Sequence, residues 1–380
     1  MNEQAPSDQS WFTLLDREYY FSEEVFEREA QAIFLRQWHY VAHVSEVAAA
    51  GDFVVVDLLG ESVIISRGRD GSINALLNSC RHRGFPVCRE KAGNARLLVC
   101  GYHNWAYGLD GALRKAPSID DAVINYDNWG LHRVRVEVWQ GLIFICLGEP
   151  RTADLAGELD AVAADMIQLD PTRMKKIHEQ SVDLETNWKV MRENFQECYH
   201  CAGNHPELSL SLDVEATYHN TGDVQRKAEF YGGGSQPRPG MRSISMDGEA
   251  KCSKYLGAFG EPGAEIPEQF HAGFAIHPLF SRGLFSVDYG VIFTMNPISP
   301  GKVRWTSRWF VHEDAVEGTD YDRDEVTKLW RVSVEEDIDL VTRSYEGMNS
   351  RRYVPGPLSA SREPTLRVSQ ALYLDMMDEV

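Results

Sequence analysis

Two short spacings carry the first chemistry in this chain: Cys80-Arg81-His82 and, further on, Cys100-Gly101-Tyr102-His103. Each pairs a thiolate with an imidazole on a loop that follows a β-rich run. Together they form a four-ligand set for a metal group. Zinc could be held this way, but zinc sites more often combine a Cys-x-x-Cys pair with a separate histidine pair. Mixed pairs suit a two-iron, two-sulfur cluster in which two histidines replace two cysteines on one iron. Each loop then gives one ligand to each iron. Gly84 and Gly101 let the backbone approach and donate N–H groups to sulfur. Cys88, between the pairs, reads as a small buried residue.

A second constellation is Glu197-Cys198-Tyr199-His200 followed by His205-Pro206. Two imidazoles and a nearby carboxylate suit a divalent first-row metal. Taken alone, the two histidines read as hydrogen-bonded core or helix-end residues; the metal motif upstream favours the ligand reading. The stretch from Asn187 predicts a helix to about Cys201, with Glu197 and His200 on one face. A break at Gly203-Asn204 and a stop at Pro206 let His205 turn back towards His200. Cys198 and Cys201 form a Cys-x-x-Cys pair open to a redox or zinc reading; lying among the ligands, they are expected to pack as free thiols.

The elements that must position these groups fall into two sets. Ser22 caps a helix whose apolar stripe includes Phe26, Ala30, Ile33, Phe34 and Trp38. Short β-rich runs follow at 52–58, 62–66, 73–78, 97–100, 134–139 and 142–147, separated by Gly51, Gly60, Asp70-Gly71 and Gly93-Asn94, with a hairpin signal at Asp110-Gly111. This predicts an all-β unit at 40–150 after a helical segment at 1–39. Residues 151–380 are mixed: strands at 283–296 and 303–311 joined by Pro300-Gly301, a helix from about Asp322 to Met348, and a last helix from about Thr365 to Met377. The glycine-rich stretch 212–265 reads as a mobile surface segment or lid, and residues 1–9 as a mobile tail. The expected class is α+β.

A chain of 380 residues favours two domains. Its net charge of −19 argues against nucleic acid and anionic membrane surfaces. No apolar run reaches the roughly 20 residues that span a bilayer. The first ten residues lack a secretory pattern. Seven cysteines, an odd number in a large chain, argue against a disulfide framework and for a reducing cytoplasm.

With both motifs in place, the chain resembles the oxygenase (alpha) component of Rieske non-haem iron oxygenases, the ring-hydroxylating family, over nearly its whole length. The resemblance rests on the Cys-x-His and Cys-x-x-His pairs and on Asn187, Trp188 and Lys189 leading to Glu197, His200 and His205. It implies a Rieske 2Fe-2S domain followed by a helix-grip catalytic domain of antiparallel sheet and helices. Fe(II) would sit on two histidines and one carboxylate. A flavin/iron-sulfur reductase or ferredoxin would bring electrons from NAD(P)H, which fits the lack of a G-x-G-x-x-G motif. O2 would be co-substrate and the assembly a homotrimer.

The third iron ligand is sought in Val334-Glu335-Glu336-Asp337-Ile338-Asp339-Leu340-Val341. At about 100° per residue, Trp330, Val334, Ile338 and Val341 share a stripe. Asp337 is the carboxylate nearest that stripe, and the family pattern agrees. Glu335, Glu336 and Asp339 are expected on a solvated face. The resemblance also gives Glu197 a role: it would join His103 of the partner subunit to His200 as the inter-subunit electron relay. The family usually has Asp there. Glu197, the sequence around His200 and the ending from Ser350 to Ser359 look most like the branch acting on choline, glycine betaine, carnitine and stachydrine.

Hydroxylation or N-demethylation of such a substrate is the expected reaction, with aromatic-ring dihydroxylation as the alternative. Phe285, Tyr289, Phe293, Trp305 and Trp309 are candidates for an aromatic cage, against an ordinary core role. His39, His43, His132, His178, His219, His271, His277 and His312 lack a partner spacing and read as structural. Three rivals remain. A Rieske electron carrier leaves 187–341 without a use. A di-iron bundle needs two Glu-x-x-His pairs, and only one is present. A zinc-stabilised binding protein would hold no iron.

Overall fold

The computed structural model describes residues 12–120, 122–214, 229–232, 237–267, 269–278 and 281–379. The expected tail, His219 and residues 215–228 and 233–236 of the lid lie outside them. Among the described residues, three antiparallel sheets carry the chain. The first has seven strands in the order His39–His43, Leu142–Cys146, Arg133–Trp139, Ile73–Leu77, Glu61–Arg67, Asp52–Leu58 and Ala92–Asn94. A three-stranded sheet of Leu98–Val99, Ala106–Tyr107 and Leu113–Lys115 sits beside it, its last two strands forming the hairpin expected at Asp110-Gly111. Gly111 has φ +83°, a left-handed conformation that glycine adopts without strain. The β-rich runs expected before residue 150 therefore all form strands.

The third sheet runs Met174–Leu184, Lys302–His312, Gly290–Ser299, Ser281–Phe285, Ala272–Ile276 and Phe230–Gly232. The run expected as one strand at 283–296 is two, divided by a turn at 286–289. There the Ser286 amide donates to Tyr289 O at 2.9 Å. Helices Trp188–Phe195 and Arg323–Met348 pack together, the first also against strand Gly290–Ser299. Trp188, Trp305 and Trp309 are fully buried in this core. The described part of the glycine-rich stretch is not a loose surface segment. The Asp288 carboxylate holds it, accepting from Ser243 Oγ at 2.7 Å, the Lys251 amide at 2.6 Å and the Cys252 amide at 3.2 Å.

Helix Arg323–Met348 starts where Asp322 accepts hydrogen bonds from the amides of Asp324 (2.9 Å) and Glu325 (3.2 Å). Its buried stripe contains Val326, Leu329, Trp330, Val334 and Val341, and Asp337 is the acidic residue on it. Helix Trp188–Phe195 starts at Asn187, whose side chain accepts from the Lys189 amide at 2.8 Å and donates to Tyr20 O and Pro300 O. Lys189 is fully buried and pairs with Glu29. The same carboxylate accepts from Trp188 Nε1 and Tyr373 OH at 2.8 and 2.7 Å. A buried charge is tolerated only when paired and hydrogen-bonded. This network ties helices Glu23–Ala32, Trp188–Phe195 and Pro364–Met377 into one block.

Candidate metal centres

The first centre is built from two loops that repeat each other. The Cys80 amide donates to Phe85 O at 3.0 Å and the Gly84 amide to Cys80 O at 2.8 Å. The Cys100 amide donates to Trp105 O at 2.8 Å and the Asn104 amide to Cys100 O at 3.1 Å. Gly84 and Asn104 occupy the same place, with φ +72° and +57°. Asparagine and glycine are the residues that tolerate this conformation. The cysteines are buried and free; the histidines stand further out.

The His82 and His103 ring centres are 4.6 Å apart, and His82 stacks on Trp105 at 5.1 Å. His82 Nδ1 is buried and has no hydrogen-bond partner among the described residues. A buried polar atom without a partner calls for an occupant, and four convergent soft and imidazole ligands fit a Rieske cluster. Tyr107 OH lies 3.2 Å from Cys80 Sγ and accepts from the Arg81 amide at 3.1 Å. Tyr107 and Trp105 support this site without forming part of any spacing motif.

The second centre joins elements far apart in the chain. The helix carrying its approach ends at Phe195, sooner than the expected Cys201. Glu197 and His200 therefore do not share a helix face. A turn brings them together instead: Glu197 Oε2 accepts from the amides of Tyr199 and His200, and Oε1 lies 2.5 Å from His200 Nδ1. A four-residue helix Cys201–Asn204 then delivers His205. The same turn brings the Cα atoms of Cys198 and Cys201 to 4.7 Å, and they form a disulfide rather than packing as two free thiols.

His200 Nε2, His205 Nε2 and Asp337 Oδ1 form a triangle with sides of 3.0, 3.1 and 3.2 Å. Ligand atoms about 2.1 Å from a six-coordinate cation and at right angles to it lie about 3.0 Å apart. The triangle fits one face of such a cation. The far nitrogen of each ring is held by a carboxylate: His200 Nδ1 by Glu197, and His205 Nδ1 by Glu336 at 2.7 Å. Glu336, expected on a solvated face, is a positioning residue. Its longer side chain reaches His205 from a helix position pointing away from the stripe, which periodicity does not register.

Burial opposes charge at all three donors, yet carboxylate hydrogen bonds win. Asp337 and Glu197 bring His200 up to about 9 despite burial. The Asp337 carboxyl sits below its ordinary range because both histidines bond it. A pocket that retains protons on its imidazoles against burial presents the negative field a divalent cation needs, the cation replacing those protons.

A cavity opens beside this triangle, lined by Phe195, Gln196, Tyr231, Arg282, Leu284 and Trp330 among others. The five strand aromatics considered for a cage are all core. Tyr289 donates to Ile244 O and accepts from Trp330 Nε1 at 2.9 Å, while Phe293 and Trp305 pack behind Phe195. Cavity aromatics come from a helix end, an edge strand and the long helix. No alternation within one strand could have revealed them. His277, expected to be structural, is buried; burial drives its ring down to about 3, and its Nδ1 lies 2.7 Å from Gln196 Nε2 while the ring stacks on Tyr231.

A small β unit bearing paired Cys/His loops, followed by an antiparallel sheet whose helices converge two histidines and an aspartate, is the architecture of a Rieske non-haem iron oxygenase. Residues 37–130 match the Rieske 2Fe-2S domain, and residues 171–379 match the ring hydroxylating alpha subunit (catalytic domain). The chain belongs to the ring hydroxylating alpha subunit family.

The glycine betaine monooxygenase oxygenase subunit of Pseudomonas aeruginosa is 30% identical over 378 residues, covering 92% of this chain and 85% of the relative. The carnitine monooxygenase oxygenase subunit of Escherichia coli is 33% identical over 53% of this chain and 54% of its own length. The solved structure of a quaternary ammonium Rieske monooxygenase shares the fold, with a TM-score of 0.76 at 23% identity, covering 99% of both chains.

The protein is thus the oxygenase component of a multicomponent system. It carries a Rieske 2Fe-2S cluster and a mononuclear iron, uses O2 and takes electrons from a reductase. Among the described residues no helix is long and apolar enough to cross a membrane.

Proposed function

We propose that His200, His205 and Asp337 hold the mononuclear iron, that Cys80, His82, Cys100 and His103 hold the cluster, and that the substrate is a quaternary ammonium or N-methyl compound oxidised at an N-methyl C–H bond. The observation that carries this reading is the donor triangle, with sides of 3.0–3.2 Å, opening onto a cavity with three aromatic residues. When bound, the iron supplies the O2 activation and C–H oxidation that side chains cannot.

The chain's own residues do the rest. Glu197 and Glu336 each hold a proton at Nδ1 of a histidine, leaving Nε2 to face the metal. Leu208, Leu212 and Leu284 keep bulk water from the cavity. Phe195, Tyr231 and Trp330 offer ring faces to a methylammonium group. Phe195 is kept in place by Phe293 and Trp305, and Trp330 by its bond to Tyr289.

Glu197 is the bridging carboxylate, able to accept N–H groups from His200 and from His103 of the partner subunit in a homotrimer. Supporting this, Tyr199 beside it is 62% exposed and Tyr102 beside His103 is 53% exposed, so both stand where another subunit can reach them. The domains are a helical segment at 1–39, the Rieske domain at 40–150 and the catalytic domain at 151–380. A ferredoxin or flavin/iron-sulfur reductase is the electron donor. The compartment is the cytoplasm, in keeping with Cys88, Cys146 and Cys252, which stay thiols outside both the cluster and the disulfide.

The test is iron and acid-labile sulfide per chain, with the visible spectrum. The wild type should hold about three irons and two sulfides. Asp337→Ala should lose one iron and keep the cluster spectrum, whereas Cys80→Ser should lose the sulfide. An Asp337→Ala protein with undiminished iron would overturn the ligand assignment.

A further inference from the structure

The cavity beside the donor triangle contains a kind of donor that the triangle does not use. Cys198 and Cys201 both line it, joined as a disulfide. Cys201 Sγ lies 3.9 Å from His200 Nε2. The backbone sets it there. The His205 amide donates to Cys201 O at 2.9 Å, so Cys201 and His205 stand one helical turn apart, and residues four apart share a helix face. Donor atoms of His200, Cys201 and His205 all lie within 4.8 Å of one another. Cys201 is buried, so a metal that it meets is one held at the triangle.

In the disulfide this sulfur is occupied. The thiolate is the form that binds metals, and a disulfide sulfur has no charge to offer. The centre then presents nitrogen and oxygen donors on one face, a set that suits iron with open positions. Cleavage of the S–S bond frees the Cys201 side chain to turn about its Cα–Cβ bond. Around a tetrahedral zinc, with Zn–N about 2.0–2.1 Å and Zn–S about 2.3 Å, nitrogen and sulfur stand about 3.6 Å apart. A small rotation closes the 3.9 Å separation to that spacing. The triangle's sides of 3.0, 3.1 and 3.2 Å are already close to a tetrahedral set, whose nitrogen and oxygen donors lie about 3.3 Å apart.

We propose that Cys201 is a masked fourth metal ligand. With the Cys198–Cys201 disulfide intact the centre is an open iron site; with it reduced, His200, Cys201, His205 and Asp337 close around zinc. The reductant is a dithiol of the thioredoxin class. It gives two electrons and two protons, the S–S bond breaks, two thiols form, and the reductant leaves as its own disulfide. Zinc then displaces the Cys201 thiol proton to solvent. A four-coordinate zinc has no position left for O2, so the reduced, zinc-filled protein is silent, and reoxidation restores the open site. The proposal rests on the reading of His200, His205 and Asp337 as metal donors.

The experiment is zinc binding to the full chain with its cluster intact and its mononuclear iron removed by a chelator. One sample has the pair oxidised, verified by resistance of both cysteines to alkylation; the other is reduced with a phosphine. Zinc-edge X-ray absorption should show one sulfur at about 2.3 Å in the reduced sample and only nitrogen and oxygen in the oxidised one. The reduced protein should bind zinc at least about 100-fold more tightly. Two variants separate ligation from a merely structural disulfide, which each of them abolishes. Cys198→Ser should show the sulfur and the tight binding without reductant, and Cys201→Ser should show neither under any condition. Equal zinc affinity in the two variants overturns the proposal. So does a reduced wild type whose zinc has imidazole but no sulfur neighbours, a result that needs no variant to fold; the donor triangle survives both. A pair that cannot be oxidised in the folded protein overturns the masking. Zinc without imidazole neighbours in both samples overturns the triangle instead, and the fourth ligand with it.

Discussion

The four residues proposed to hold the cluster sit on two six-residue loops closed by the same pair of backbone bonds, at Cys80 and Cys100. In the catalytic domain His205 and Asp337 meet across 132 positions of sequence, and their geometry depends on how two helices pack. The loops shape themselves; the triangle is an outcome of tertiary structure. A local centre should tolerate changes elsewhere in the molecule. A non-local one should respond to every residue that orients its ligands, even those that touch no metal.

Three variants press on that contrast. The largest effect is expected from Glu197→Gln. The amide can still meet one N–H group as an acceptor, but it lacks the second charged oxygen that a two-ring bridge needs. Both metal contents should stay at wild-type level while turnover falls roughly 100-fold, about 2.7 kcal/mol. Near-full turnover would remove the bridging role.

Next comes Glu336→Gln, which touches only the far side of His205. Affinity for the mononuclear iron should drop by about 10-fold or more. The visible spectrum of the cluster should not change, and chelator titration followed at both centres would show whether the loss is confined to one.

The smallest effect concerns the seam between the regions. Gln37, just before the first strand of the β domain, donates to Glu229 at 3.2 Å and to the carbonyl of His277. Burial raises the Glu229 carboxyl from 4.5 to about 7, against the pull of Arg151. The folded state therefore prefers the protonated acid. Its contribution to stability is complete below pH 4.5 and is lost as pH rises through 7. Glu229→Gln should be neutral near pH 4.5 and stabilise the protein by about 1 kcal/mol at pH 8, after allowance for solvent screening. Thermal melts across that range would check it; a constant difference at every pH would show that Glu229 does not titrate there.

The same contrast explains what could be read from the sequence. The cluster loops announce themselves because ligand identity and spacing are local. Asp337 was reachable because Asp322 sets the start of a long helix and Trp330, Val334 and Val341 fix its buried stripe. Glu336 was not, since periodicity describes where a side chain leaves the helix and not how far it reaches. The helix end at Phe195 escaped because Gln196, Glu197 and Cys198 are compatible with continuing it, and the turn depends on Glu197 bonding the amides ahead of it. Strand Met174–Leu184 was missed for another reason. Lys175, Lys176, Glu179 and Asp183 interrupt its apolar alternation, and as an edge strand it can carry charges there.

The donor triangle has a consequence for how the protein comes to hold iron at all. Three atoms about 3 Å apart fix where a cation sits, not which cation it is. Imidazole and carboxylate ligands follow the common first-row order of affinity, in which zinc and copper outrank ferrous iron. Coordination shape offers little correction, because three ligands on one face leave the other half of the sphere undictated. Loading with iron is therefore governed by which metal the cell keeps available while the chain folds. A protein made where zinc is abundant would keep the brown of its cluster and lose its catalysis, with nothing in its colour to reveal the exchange.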